Sequence, residues 1–151
     1  MQNIDHNFIL PKHIRIAILH DALVVPAGSE RVALKISDLF PEAPIFTSVY
    51  LPENTFPEFK LRIIHTLPFS KLVKSERQFK NLYPLWLAEL AFLDLSKFDL
   101  VISSANYLAK FIHLPAQTTH ICYLHNPIRF LWKTKVYNNE SLPFGAISKP
   151  V

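Results

Sequence analysis

The chain has 151 residues, the length of one domain with a single hydrophobic core. Half of its residues are hydrophobic and 19% are charged, which excludes the composition of a disordered chain. The net charge of +4 favours anionic partners without choosing among phosphates, nucleic acid and anionic lipid. The single cysteine, Cys122, excludes an internal disulfide and a thiolate metal cluster within one chain, so a reducing compartment fits best.

The first structural signal is a strand followed by a helix. Residues 14–19 (IRIAIL) form an apolar, mainly β-branched run that predicts a strand covered on both faces. Residues 29–40 carry apolar side chains at helical spacing, which predicts an amphipathic helix with Ser29 as its N-cap and Pro41 beyond its end. This order predicts the opening of a βαβ unit.

The middle of the chain predicts two further strands, 45–49 and 61–65, and then a helix over 69–82. This helix has cations spaced three apart, so they spread over about half of its circumference. The row is either a solvated basic face or a contact surface for anionic lipid or a phosphorylated acceptor. Its members are Lys71, Lys74, Arg77 and Lys80.

The later elements complete an alternating pattern. Residues 84–93 (PLWLAELAFL) predict a buried helix, because the apolar run is about half the length that a bilayer span needs. Residues 99–104 and 120–125 predict two more strands buried in the sheet. Strands that alternate with helices predict an α/β fold, a Rossmann-like, doubly wound and mainly parallel sheet with helices on both faces.

In such a sheet, polar residues at the ends of three strands meet at one edge. Gly28 precedes a helix, whose free N–H groups form a pocket for phosphate or carboxylate, although a glycine there is also a common turn residue. Glu30 is expected to be an ordinary residue of the first helical turn. The three clusters are His20 and Asp21 with Gly28, Ser103 with Ser104, and His125 with Asn126.

Two histidines are candidates for chemistry. His125 is followed by Asn126 and Arg129, which would place a hydrogen-bonding imidazole beside a fixed cation, but a structural histidine is the alternative. His20 and Asp21 suggest a metal site or an acid/base pair, yet no third ligand stands at a recognisable spacing. We therefore predict no metal site.

Three segments of the chain, taken in order, resemble the amino-terminal domain of family 4 glycosyltransferases of the GT-B architecture. These enzymes include hexosyl- and mannosyltransferases of surface-polysaccharide assembly. The similarity covers about residues 14–137. It rests on HD-x-L followed by a G-x-ER helix start, on DLVISS, and on CY-x-H-x-P-x-R, which occur in RIAILHDALVVPAGSERVALKISDLFPEAPIFTSVY, LYPLWLAELAFLDLSKFDLVISSANYLAKFI and HICYLHNPIRFLW.

The resemblance implies an acceptor-binding domain that faces a second domain holding most of the nucleotide-sugar donor. Such an enzyme transfers a hexose to a lipid-linked or saccharide acceptor, retains the anomeric configuration and needs no metal or other cofactor. It would work in the cytoplasm, with peripheral contact at the inner face of the membrane. His125 would be the catalytic residue near the transferred sugar, and the substrate- and donor-binding residues would be Gly28, Ser104, Arg129, His20 and Asp21.

Two departures from the family bear on this expectation. Ala27, Gly28 and Ser29 stand where relatives usually carry paired glycines, so we expect an altered loop geometry. Residues 138–151 form an irregular tail that no longer resembles the family, after an amino-terminal extension over 1–13. We therefore expect a truncated chain without the donor-binding domain, inactive by itself.

Two other classes of function stay open. The first is a non-catalytic binding module, either a remnant or a subunit completed by a separate donor-domain polypeptide. The second is a small basic nucleic-acid binder, but no helix-turn-helix, RNA-recognition or zinc pattern accompanies the positive charge. We therefore expect no nucleic-acid partner.

Overall fold

The computed structural model describes residues 14–125. The predicted extension 1–13, the predicted site residue Arg129 and the predicted tail 138–151 lie outside these residues, as does Asn126. The predicted domain boundary at residue 137 also falls outside them.

The core of the fold is a five-stranded sheet in the order β3-β2-β1-β4-β5, and every neighbouring pair is parallel. This confirms the predicted α/β fold with a Rossmann-like parallel sheet. The strands are β1 (Ile16–His20), β2 (Ile45–Thr47), β3 (Ile64–Thr66), β4 (Leu100–Ala105) and β5 (Thr119–Leu124). The helices are α1 (Gly28–Leu39), α2 (Glu76–Asn81) and α3 (Tyr83–Ala91), with 3-10 turns at Pro57–Leu61, Pro68–Leu72 and Ala109–Phe111.

Helices cover both faces of the central strands. Ile18 of β1 packs in one apolar cluster with Ala33 and Leu34 of α1. Its neighbour Leu19 points to the other face and packs in a second cluster that includes Trp86 of α3. Successive side chains of a strand alternate between faces, so an uninterrupted apolar run such as β1 needs cover on both sides.

The start of α1 differs from the predicted one. The helix begins at Gly28, and its N-cap is Ala27, which makes no side-chain capping bond. The predicted N-cap Ser29 lies inside the first turn and donates a hydrogen bond to Glu30 instead, at 2.9 Å. The prediction of a Ser29 cap was therefore wrong, and the helix starts at the glycine.

The predicted helix over 69–82 is broken into two elements. A 3-10 turn covers Pro68–Leu72, the chain then extends, and Ser75 caps α2 by accepting a hydrogen bond from the backbone of Gln78. An N-capping serine favours a new helix start over continuation of the previous turn. The prediction of one continuous basic helix was therefore wrong. The described cationic side chains of the row, all exposed, are Lys71, Lys74 and Arg77.

The apolar helix α3 buries one side and exposes its end. Trp86 is fully buried and donates its indole N–H to the carbonyl of Phe79 at 2.9 Å, while Phe92, just after the helix, is 88% exposed. The expected burial therefore holds for one side of the helix only. Within residues 14–125, no helix is long and apolar enough to cross a membrane.

The last strand is the main departure from the predicted sheet. β5 was predicted to be a buried strand, but every one of its residues is exposed. Within residues 14–125, β5 lies at the end of the strand order and pairs with β4 alone. An apolar run cannot by itself distinguish a central strand from an edge strand, because both can carry the same residues.

Candidate functional site

The carboxyl ends of β1, β4 and β5 meet at one edge of the sheet. The strand register places His20 beside Ser104, and Ser104 beside Tyr123 of β5. His125 follows β5 directly, and its backbone N–H bonds to the carbonyl of Ala105 at 3.0 Å. The structure therefore brings His20, Ser104 and His125 together at the edge where the sequence predicted a site.

His20 is the buried centre of this edge, with 1% of its surface exposed. Its Nδ1 lies 2.9 Å from the carbonyl oxygen of Ser104. Because a carbonyl oxygen can only accept, Nδ1 carries a proton and donates it. The other ring nitrogen, Nε2, faces Glu30 Oε1 at 3.9 Å. One imidazole thus connects the end of β4 to the first turn of α1.

Ser104 connects the same group to His125. Its Oγ lies 2.8 Å from His125 Nε2 and 3.4 Å from the carbonyl oxygen of Ser29. Burial lowers the pKa of His125, and the electrostatic effect of neighbouring His20 lowers it further, against the opposing effect of nearby carboxylates. His125 is therefore a neutral imidazole at physiological pH, able to accept a hydrogen bond at one nitrogen and donate at the other.

Glu30 is the residue of this group that the sequence reasoning missed. Its side chain is buried and accepts hydrogen bonds from Ser29 Oγ and from its own backbone N–H. Burial raises the pKa of Glu30, but the interaction with His20 together with these donors outweighs burial and lowers the pKa overall. Glu30 is therefore an ionised carboxylate. Its position in the first turn of a helix at the carboxyl edge was the available signal.

Asp21 has a different environment from its neighbour His20. Its two carboxylate oxygens accept four backbone N–H groups from the loop after β4, at 2.6 to 2.8 Å. A carboxylate has about four acceptor positions, so the loop uses all of them. The donors are the N–H groups of Asn106, Tyr107, Leu108 and Ala109. The described contacts thus give Asp21 a part in holding the loop, and its predicted substrate contact stays a prediction.

Gly28 lies beside open space. A Cβ at Gly28 would meet no atom within 4 Å, and the residue does not have a positive φ. Neither backbone strain nor close packing within the protein therefore requires glycine there. Ala27 is extended with φ of −109°, so it needs no glycine either. The expectation of a loop geometry altered by the missing paired glycines stays a prediction, and Gly28 lies beside open space.

A cavity of about 190 Å³ opens beside these residues. It lies between the loop after β1, the first turn of α1, the start of α2 and the loop after β4. Its walls are polar near His20 and Glu30 and apolar near Val24, Val25 and Phe79. The remaining lining residues are Asp21, Ala22, Ala27, Ser29, Glu76, Asn106 and Tyr107. Within the part of the chain that the structure describes, no group of three or more His, Cys, Asp or Glu side chains could hold a metal ion.

Comparisons with models of protein families, with curated proteins and with solved structures found no significant match. The family resemblance therefore stays a proposal, and the case for function rests on the geometry of the edge. That geometry is a buried histidine, serine and glutamate group beside an open glycine and a cavity.

Proposed function

We propose that this chain is the acceptor-side half of a retaining GT-B glycosyltransferase. The enzyme transfers a hexose from a nucleotide sugar to a lipid-linked or saccharide acceptor. The bond between the anomeric carbon and the donor diphosphate breaks, and a bond from that carbon to an acceptor oxygen forms on the same face. The acceptor proton leaves with the nucleoside diphosphate, so atoms and charge balance without an oxidant or reductant.

One observation supports this proposal most strongly. His125, Ser104 and His20 form a continuous hydrogen-bonded group at the carboxyl ends of three parallel strands. In open α/β sheets, ligands bind beyond these ends, and the order of strands reverses beside β1, where His20 lies. The open space at Gly28 lies next to this group, through Ser29.

In the proposed reaction, His125 contacts the hexose and Ser104 positions His125. A neutral imidazole can hydrogen-bond a sugar hydroxyl without adding charge near the breaking bond. Ser104 Oγ, fixed at 2.8 Å from Nε2, limits the orientations that the ring can take. The nucleotide is assigned to a second domain, because the cavity of about 190 Å³ is smaller than the roughly 300 Å³ at which ligand pockets usually begin.

The proposal is tested by binding. The full chain is titrated with methyl α-mannoside, methyl α-glucoside, GDP-mannose and UDP-glucose, followed by saturation-transfer NMR. At least one sugar is expected to bind, and His125→Ala is expected to weaken it about fivefold, the effect of one lost hydrogen bond. His113→Ala is the matched control, since His113 is exposed on the chain after the 3-10 turn Ala109–Phe111.

Two results would contradict the proposal. One is the absence of binding by all four sugars, and the other is binding that His125→Ala and His113→Ala affect equally. Transfer of radiolabelled hexose by the purified chain alone is expected at background level, because donor-side groups supply most of the stabilisation of the departing diphosphate. Ordinary turnover by the chain alone would contradict its assignment as a half-enzyme.

A further inference from the structure

His20 borders the cavity, but both of its ring nitrogens face groups of the protein. Nδ1 lies 2.9 Å from the carbonyl oxygen of Ser104 and 3.2 Å from its Oγ, and Nε2 faces Glu30 Oε1 at 3.9 Å. With 1% of its surface exposed, the residue has almost no area to offer to a ligand. Any effect of His20 on a ligand therefore passes through its neighbours, and Ser104 is the neighbour to which it donates a hydrogen bond.

The hydroxyl group of Ser104 lies beside polar atoms of three other residues, but it has only one proton to donate. The proton on His20 Nδ1 is shared between the carbonyl oxygen and Oγ of Ser104, so one lone pair of Oγ accepts from His20. The other two neighbours of Oγ are His125 Nε2 at 2.8 Å and the carbonyl oxygen of Ser29 at 3.4 Å. These two distances decide where the hydroxyl proton lies.

The shorter contact of Ser104 is the one to His125. An O–H···O hydrogen bond usually spans about 2.5 to 3.0 Å, so the 3.4 Å separation from Ser29 is too long for a good one, whereas 2.8 Å to His125 Nε2 is not. The hydroxyl proton therefore points to His125, and Nε2 accepts it. In a neutral imidazole the two nitrogens have opposite roles, so the proton of His125 lies on Nδ1. With Nε2 bound to Ser104, Nδ1 is the nitrogen left to meet a ligand.

We propose that His20 is a positioning residue that acts through Ser104 and keeps the proton of His125 on Nδ1, so that the site offers a hydrogen-bond donor to an oxygen of the bound hexose. The position of the proton is independent of the proposed function, whereas its use towards a hexose rests on that function. The two buried residues thus decide which kind of atom His125 can contact. A ligand atom that meets Nδ1 must be an acceptor.

The first test locates the proton of His125 on the full chain without a ligand. Isotope-labelled histidine is incorporated, the ring nitrogens are observed by NMR at neutral pH, and the resonances of His125 are assigned by their loss in His125→Ala. In the unchanged protein we expect a protonated Nδ1 and an unprotonated Nε2. A proton on Nε2 instead would overturn the proposal.

A matched pair of variants then separates the hydrogen bond of His20 from its packing. His20→Asn keeps an N–H donor close to the place of Nδ1, whereas His20→Leu fills the space without a donor. We expect the proton of His125 to stay on Nδ1 in His20→Asn and to spread over both nitrogens in His20→Leu, because Ser104 Oγ then loses the donor that orients it. Equal spectra of the two variants would overturn the proposal. Should His20→Leu not fold, the spectrum of the unchanged chain decides.

His120 is the internal control, because it makes the same kind of contact on the other face of the sheet. Ser103 Oγ lies 2.8 Å from His120 Nε2, and successive residues of β4 point to opposite faces. The ring resonances of His120 are expected to stay unchanged in both variants of His20. A change at His120 as large as that at His125 would show a disturbance of the whole sheet and would overturn the specific role of His20.

The use of the proton is tested by separate titrations with methyl α-mannoside and methyl α-glucoside. A glycoside that binds is expected to shift the resonance of His125 Nδ1 more than that of Nε2, and His20→Leu is expected to weaken its binding about threefold, the partial loss of one hydrogen bond. A shift confined to Nε2, or unchanged affinity in His20→Leu, would overturn this use. The absence of binding by both glycosides and both nucleotide sugars would instead remove the glycosyltransferase and leave the position of the proton standing.

Discussion

Two buried carboxylates lie close to each other in the chain, Asp21 directly after β1 and Glu30 in the first turn of α1. They differ in the groups that they contact. Asp21 accepts four backbone N–H groups of the loop, so its acceptor positions are filled by the fold. Glu30 accepts hydrogen bonds from its own turn, faces His20 at 3.9 Å and lines a cavity. Burial alone therefore does not show what a carboxylate does, because its role depends on the partners of each oxygen.

The largest expected effect is the loss of stability on removing Asp21. Asp21→Ala leaves four backbone N–H groups without their acceptor, and we expect the free energy of unfolding to fall by about 4 kcal/mol. Urea unfolding measures it. Asp94→Ala is the control, because exposed Asp94 accepts a single backbone N–H, that of Ser96. A loss for Asp21→Ala no larger than that of the control would contradict the structural role.

A smaller effect is expected for Glu30. Glu30→Gln keeps the shape of the side chain and its neutral hydrogen bonds, so we expect the free energy of unfolding at neutral pH to fall by about 1 kcal/mol. The folded pKa of Glu30 is lowered, so its ionised form contributes stability above the ordinary carboxyl range, and this is lost as pH falls through the folded pKa. The difference between the two proteins should therefore shrink on acidification. A difference that grows towards low pH in urea titrations would contradict the ionised state.

A third carboxylate, Asp99, lies at the amino-terminal ends of the strands, and its side chain is exposed. Asp99 binds the guanidinium and the backbone N–H of Arg15, and these contacts lower its pKa to about 2. Its contribution to stability is present above its ordinary pKa of 3.8 and is lost as pH falls towards about 2. We expect Asp99→Asn to lower Tm slightly at neutral pH and to leave Tm unchanged near pH 2. Equal Tm losses at both pH values would contradict this assignment.

The smallest effect on stability is expected at Gly28. Its Cβ would enter open space and its backbone is not left-handed, so Gly28→Ala should change the free energy of unfolding by no more than about 0.5 kcal/mol. The same methyl group would enter the open space beside the proposed site, so we expect sugar binding to weaken. A loss of more than about 1 kcal/mol in urea unfolding would show that the glycine serves the fold.

Most of the fold could be predicted from local patterns. The run DLVISS predicted a strand over 99–104, because a short, β-branched apolar run between turns favours a buried strand. The structure has β4 at Leu100–Ala105. The helix predicted over 29–40 is α1, at Gly28–Leu39. The prediction that β5 is buried was wrong, because hydrophobic periodicity does not show the position of a strand in the sheet.

The candidate site could be predicted only in part. The parallel sheet was enough to bring Ser104 and His125 to one edge, because carboxyl ends of parallel strands meet there. The predicted sheet could not give the roles of Asp21 and Glu30, because these roles depend on contacts between residues up to 88 positions apart in the chain. A carboxylate at a helix start has the same sequence pattern whether it caps, pairs or binds.

The central claim is that sugars bind at the carboxyl edge of the sheet. A crystal structure of the full chain grown with a saturating methyl hexoside tests it most directly. We expect the sugar within hydrogen-bond distance of Glu30 or His125, against the apolar wall formed by Val25 and Phe79. A sugar bound at the opposite edge, beside Arg15 and Asp99, would contradict the account.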